Sequence, residues 1–285
     1  MSPLSVARIA RHALTGTLLV AGLTVGLPRT AHAASAPPAL RTLTVTATHL
    51  AFPTRLSAGL LALRVIGAAH DGLSLSVARV HPGVRWATVE AASARGDLQR
   101  LSRIVTFLGG VGVPPQHTGT VVVDLRTPGQ YGVHLQQGDH DPGRDLLFTV
   151  TPAGPSAATV AAARVHVTLA GTRLVGLPPS LPAGTTTFQV RNTSSGLRDM
   201  VLFRLDPGKT LQDMKAAIKE AQQTHQDPSW AHDAGDADLL SAQQTAWVTL
   251  TLVPGTYVAF CPLSDPQNGG EPFALEGMLT AVTVS

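Results

Sequence analysis

The sequence predicts an all-β protein: two tandem Greek-key β-sandwiches, each with a short helical insertion. Three observations carry this expectation. The chain contains an ordered internal duplication. Its apolar residues alternate over short runs separated by Pro/Gly turns. One stretch in each half changes to helical spacing.

The duplication is visible by direct alignment. Pro53-Thr-Arg-Leu56-Ser-Ala58-Gly59 matches Pro178-Pro-Ser-Leu181-Pro-Ala183-Gly184 at an offset of 125, and Arg79-Val-His-Pro82-Gly83 matches Arg204-Leu-Asp-Pro207-Gly208 at the same offset. Pro128-Gly129-Gln-Tyr131 matches Pro254-Gly255-Thr-Tyr257 at 126, and Gly143 with Phe148-Thr-Val150 matches Gly277 with Val282-Thr-Val284 at 134. Order is kept and the offset grows only in loops. The expected organisation is a signal peptide over 1–33, a first unit over 34–152, a small-residue linker over 153–164 and a second unit over 165–285.

Within each unit the strands follow from period-two alternation. Leu43, Val45 and Ala47 alternate with threonines, and Val165, Val167 and Leu169 alternate with polar neighbours in the second unit. Runs 60–65 and 185–190 each follow an Ala-Gly turn, and runs 73–80 and 200–205 come next. Runs 121–125 and 247–252 precede the Pro-Gly turns, and 131–135 and 257–261 follow them. Short strands with turns at this spacing are the pattern of antiparallel Greek-key sandwiches.

The helical inserts have their own signals. Thr210-Leu211-Gln-Asp213 reads as a capping box, and Leu211, Met214, Ile218 and Ala221 then recur at helical spacing, with Lys215, Lys219 and Glu220 outside. The counterpart in the first unit is Trp86 to Phe107, expected to break near Gly96.

The N-terminus reads as an export signal. Arg8 and Arg11 precede an apolar run from about Ala13 to Leu27, and Ala31-His-Ala33 fits a cleavage site, so a secreted or periplasmic location is expected. The run is too short for a confident membrane span, and no later stretch is long enough. Residues 1–33 hold three arginines and no acids, so cleavage takes 21 basic and 18 acidic residues to 18 of each. The mature chain thus gives no charge argument for nucleic acid or anionic membrane. One cysteine allows no internal disulfide, so stability must come from packing.

That cysteine is the most informative residue. Cys261 ends a run in which Tyr257, Ala259 and Cys261 share a face; a Gly/Pro/Asn-rich loop follows, then Glu271-Pro-Phe273-Ala-Leu-Glu-Gly-Met278. A strand-end cysteine, a loop and a methionine resemble the metal-binding loop of the cupredoxins, the blue-copper proteins. The long insertion with a helix, followed by Pro-Ser-Trp230, also resembles exported cupredoxin-like proteins. The likeness covers the second unit well and the first weakly. It implies a site of thiolate, two imidazoles and an axial thioether. Cys261 and Met278 match the sulfur positions. Phe273 stands at the loop histidine, and Arg198 or Asp199 at the strand-side one. The resemblance therefore implies a vestigial copper site sealed by apolar packing, with no resident cofactor. Alternatives are a Cu(I) ion on Cys261, Met278 and Met200, and a divalent ion on Asp199, Cys261 and Met278. In the first unit Leu135 and Arg144 take the sulfur positions, with Asp139 near the loop histidine.

Other candidates are weaker. His134, His140, Asp139 and Asp141 could form a surface metal site, though solvated turn residues are the commoner outcome. His225 and His232 flank Trp230 in what reads as a polar loop with Asp227, Asp233, Asp236 and Asp238; the acidic run faintly suggests calcium but lacks EF-hand spacing. Asn192-Thr-Ser fits a glycosylation sequon, a triplet common by chance. No nucleophile elbow, phosphate-cradling glycine loop or His-Glu-x-x-His motif occurs. The expectation is a non-enzymatic exported protein with a binding or structural role in the cell envelope. The alternative is copper binding or electron transfer through Cys261 and Met278.

Overall fold

The computed structural model describes residues 40–47, 52–138, 141, 143–152, 160, 162–224 and 226–285. The expected signal peptide lies outside the described residues, as does most of the expected linker.

Strands form where the alternation is strong. In the first unit these are β1 (Arg41–Thr46), β2 (Arg55–Ser57), β3 (Leu60–Ile66), β4 (Leu73–Val80), β5 (Val105–Val113), β6 (Thr118–Asp124), β7 (Gly129–Gln137) and β8 (Arg144–Thr151). Between β4 and β5 lie two helices, α1 (Trp86–Ser93) and α2 (Leu98–Ile104). The break between them contains Gly96 at φ +62°, a conformation that favours glycine. The helical stretch ends sooner than expected, and Phe107 belongs to β5.

The second unit repeats this plan. It contains β9 (Val165–Ala170), β10 (Arg173–Val175), β11 (Ser180–Leu181), β12 (Gly184–Asn192), β13 (Arg198–Leu205), α3 (Leu211–Thr224), β14 (Ala231–Leu240), β15 (Thr245–Leu252), β16 (Gly255–Phe260), α4 (Phe273–Glu276) and β17 (Leu279–Val284). The capping box closes as expected: Asp213 N–H donates to Thr210 Oγ1 at 3.2 Å, and Thr210 N–H donates to the Asp213 carboxylate at 2.8 Å. Met214, Ala217, Ile218 and Ala221 form the buried face of α3, packed on Val201, Phe203, Val258 and Phe260.

The two sandwiches share both of their sheets. One sheet has the order β1-β3-β6-β15-β12-β9-β10, the other β11-β17-β16-β13-β14-β5-β4-β7-β8-β2. Each order reads as one unit's strands followed by the partner unit's in reverse. The joins are β6 against β15 and β5 against β14, both antiparallel. Trp247 pairs with Val122 and Val248 with Val121; Trp247 corresponds to Val121 at the 126 offset, so exchanging the units maps one pair onto the other. This is the self-complementary arrangement of a two-fold interface, here within one chain. A single buried cluster runs between the sheets through both units, from Leu63 and Val121 to Phe188 and Val248.

The repeat holds at the level of register. His134 pairs with Asp145 and Tyr131 with Phe148; Phe260 pairs with Leu279 and Tyr257 with Val282. Both Pro-Gly turns end in the same tyrosine corner. Tyr131 Oη donates to the Thr127 carbonyl at 2.6 Å, and Tyr257 Oη to the Val253 carbonyl at 2.8 Å.

Two corrections concern the acidic run and the sequon. The stretch expected as a polar loop is β14, a strand in the middle of the larger sheet. Asp236 and Asp238 are buried there. Asp236 accepts from the Gly112 N–H at 2.5 Å, and Asp238 accepts from the hydroxyls of Ser74 and Ser76, on β4 beyond β5. Asp236 lies over β5 because Gly112 has no side chain; a Cβ there would collide with the Asp236 carboxylate. Asn192 is also buried. Its amide donates to the Gly196 and Leu240 carbonyls, both at 2.8 Å, and its oxygen accepts from Ser194 N–H and Oγ. An asparagine fully used in shaping the turn before β13 is no acceptor for a glycan in the folded chain.

Candidate functional site

The candidate position lies at one end of the second sandwich, where β13, β16 and the α4 loop meet. On β16, Tyr257 and Ala259 face the inter-sheet core and Val258 and Phe260 face α3. Cys261 continues the inward series and is fully buried. Its N–H donates to the Met278 carbonyl at 3.1 Å, extending the β16–β17 ladder by one step. The chain between them folds back on itself. Ala274 N–H donates to Cys261 O at 2.9 Å, Phe273 N–H to Leu263 O at 2.9 Å, and Met278 N–H to Phe273 O at 2.9 Å. These bonds bring Phe273 inward at the start of α4. Gly277, at φ +129°, backs onto the β9–β10 turn, where an added Cβ would stand 3.1 Å from Thr172 O.

The four sequence-derived candidates gather here. Met200, Cys261 and Met278 are fully buried in one apolar cluster, and Phe273 belongs to it. Asp199 is buried beside them, with its backbone N–H and its carboxylate both at the Cys261 thiol. Burial pushes the thiol pKa well up, and the Asp199 carboxylate pushes it the same way. The N–H groups of Asp199 and Leu263 only partly oppose them. Both effects favour the protonated thiol in the metal-free chain.

Phe273, expected at the loop-histidine position, and Arg198, one of the two alternatives for the strand-side position, form a stacked pair. Arg198 places its guanidinium carbon 3.4 Å above the centroid of the Phe273 ring. Its Nε donates to Gly171 O at 3.0 Å and its Nη1 to Leu197 O at 2.7 Å. It is 7% exposed, which marks it as a core residue rather than a surface cation. Burial lowers its pKa, while Cys261, Asp265, Glu276 and Asp199 act in the opposite direction. A guanidinium stays protonated under such conditions and has no lone pair to give. Neither Arg198 nor Phe273 has a nitrogen lone pair to donate, so these residues do not fit a blue-copper ion.

Sequence reasoning places Arg198 only as an alternative to Asp199 at the strand-side histidine, and it misses the stack on Phe273. The available signal is that the two replaced positions hold a cation and an aromatic, a complementary pair.

Among the described residues the first unit has no equivalent pair. Leu135 is buried opposite Arg144, whose Nη2 donates to Ala47 O at 3.0 Å. Leu75 pairs with Leu135, and Leu73 and Ser74 correspond to Arg198 and Asp199 at the 125 offset. His134 Nδ1 lies 2.8 Å from Asp145 Oδ1 and 3.5 Å from Ser93 Oγ, so both neighbours sit at one ring nitrogen. Asp141 accepts from the Gly143 and Gln137 N–H groups in a turn, while Asp139 and His140 lie outside the described residues. His232 Nε2 is 2.8 Å from Asp206 Oδ1, Lys209 stands over Trp230, and His225 lies outside the described residues. Among the described residues no group of three or more His, Cys, Asp or Glu side chains is placed to hold a metal ion. No helix among them is long and apolar enough to cross a membrane.

The chain matches no protein-family description and no curated protein. Solved structures similar to part of it include auracyanin B, 20% identical, covering 45% of this chain and 93% of that chain at a TM-score of 0.29. A reduced auracyanin from the photosynthetic bacterium Roseiflexus castenholzii is 19% identical over 44% of this chain and 99% of that one, at 0.28. A multicopper oxidase from Pediococcus acidilactici is 14% identical, covering 81% of this chain and 50% of that one, at 0.25.

Proposed function

We propose that the protein is an exported, non-enzymatic member of the cupredoxin-like fold class, a reading supported by its strand order and its Cys261–Met278 loop. In this reading its metal position is closed, and it serves a binding or structural role in the cell envelope. The observation that carries the proposal is the Arg198–Phe273 stack. It sets a fixed positive charge and an apolar ring at the mouth of the Cys261–Met278 loop, and a second cation beside a guanidinium buried there is repelled in a medium of low dielectric. The Cys261 thiol, raised in pKa, adds a proton that copper would have to displace.

The test is copper analysis of the purified mature chain after incubation with Cu(I) and with Cu(II). The expected result is less than stoichiometric metal in both cases, with no thiolate-to-copper absorption band. One equivalent of copper, lost in Cys261→Ala, would overturn the proposal. That result would favour the second reading, a Cu(I) ion on Cys261, Met278 and Met200. The specific support for it is backbone adjacency: Val201 pairs with Phe260, which sets Met200 beside Cys261, and Cys261 N–H donates to the Met278 carbonyl.

A further inference from the structure

We propose that Arg198 takes the structural place of a metal ion, clamping the Cys261–Met278 loop to the strand side of the sandwich. The inference deepens the reading above and rests on it.

A metal in such a site ties a loop to a strand by bonding to both. Arg198 makes the same connection with different chemistry. Its backbone opens β13, its Nε reaches the β9–β10 turn at Gly171, and its flat face covers Phe273 in the loop. Three segments far apart in sequence thus meet on one guanidinium. The planar fork suits this role because its edge donates hydrogen bonds while its face stacks, which a lysine ammonium cannot do together.

Charge also accounts for the residue. Asp199 is a buried carboxylate, and Asp265 and Glu276 act on Arg198 from the loop side. Bringing acidic groups to a sandwich end requires a nearby positive charge, which a metal would supply and Arg198 supplies instead. The two units provide an internal comparison. Where Cys261 and Asp199 are retained, the cation is present. Where they are Leu135 and Ser74, the position of Arg198 is taken by Leu73, a buried apolar residue. The arginine accompanies the remnant of the site, not the fold.

The clamp makes Cys261 a reporter of its own loop. The thiol is fully buried, and labelling requires the loop to open. The experiment measures the rate of Ellman's reagent with the metal-free mature chain under native conditions. Arg198→Met is expected to accelerate labelling about tenfold or more by releasing the loop without unfolding the chain. Tyr131→Phe, which weakens the first unit at its tyrosine corner, is the control and is expected to change the rate far less. Should Arg198→Met fail to fold, Arg198→Lys and Phe273→Leu carry the test, and both are expected to accelerate labelling. Wild-type rates in the arginine variants, or equal acceleration by Tyr131→Phe, would overturn the clamp. Copper uptake by the wild type would overturn the function instead, because labelling is read on metal-free protein.

Discussion

Cys261 and Thr186 are two buried polar groups whose contributions have opposite consequences. The Cys261 thiol has its pKa raised by burial first and by Asp199 second, so the folded state holds the proton more tightly than the unfolded chain. For a group raised in the fold, stability is intact below the unfolded pKa, about 8.5 for cysteine, and declines as pH rises above it. Tyr131, pushed up to about 12 mainly by burial, and Tyr257, also raised by burial, add declines that begin near pH 10, the ordinary tyrosine value. Denaturant titrations from pH 7 to 11 should therefore show falling stability, and Cys261→Ala should flatten the portion starting near 8.5. An unchanged slope in that variant would count against a neutral buried thiol. Thr186 is fully buried on the inner face of β12, and among the described residues its Oγ1 has no hydrogen-bond partner. Such a hydroxyl costs about 1–3 kcal/mol, so Thr186→Val, nearly the same shape, should raise stability by about 1 kcal/mol. Chemical denaturation measures it directly.

Among elements, the strands legible in the sequence are those with one buried face and clean alternation. The 73–80 run is readable to the residue as β4, and 165–169 as nearly all of β9. The longest strands that escape a sequence reading are β5 and β14, and they correspond to each other in the two units. Both are rich in residues that strands disfavour: Gly109, Gly110 and Gly112 in one, Asp233, Gly235, Asp236 and Asp238 in the other. Part of the reason for the pairing lies in each other, since Asp236 on β14 occupies room left by Gly112 on β5. No local pattern contains that fact. The site divides the same way. Cys261, Met278 and Phe273 are legible because loop spacing is a sequence property, whereas the contact of Arg198 with Phe273 and Gly171 exists only after folding. The tyrosine corners fall between these cases, since Pro-Gly-x-Tyr announces the turn but not the bond. Tyr257→Phe removes a hydroxyl that donates to Val253 O and accepts from Val253 N–H at 3.1 Å. It should cost about 1–2 kcal/mol, read as a lower denaturation midpoint with an unchanged slope.

At the scale of the whole molecule, the two units are joined by both sheets and by one core, so they should unfold as one body. A duplicated chain whose halves met only through a linker would melt in two steps. Here β6–β15 and β5–β14 continue the ladders from one unit into the other, and the inter-sheet cluster crosses both joins. Gly110 sits at the critical point. A Cβ there would fall on the Leu75 carbonyl oxygen and stand 2.9 Å from Ser76 Cα, both backbone atoms that cannot step aside. Gly110→Ala should therefore cost roughly 3 kcal/mol or more, as overpacking against backbone does. The decisive measurement uses one probe per unit: fluorescence of Trp86 in a Trp230→Phe, Trp247→Phe background for the first, and exposure of Cys261 for the second. Coincident midpoints in the parent, and an equal fall of both with Gly110→Ala, are expected of a single cooperative transition. If the Trp86 midpoint fell while Cys261 stayed protected to its original denaturant concentration, the shared sheets would not be coupling the halves. The pair of units would then have to be treated as separate bodies.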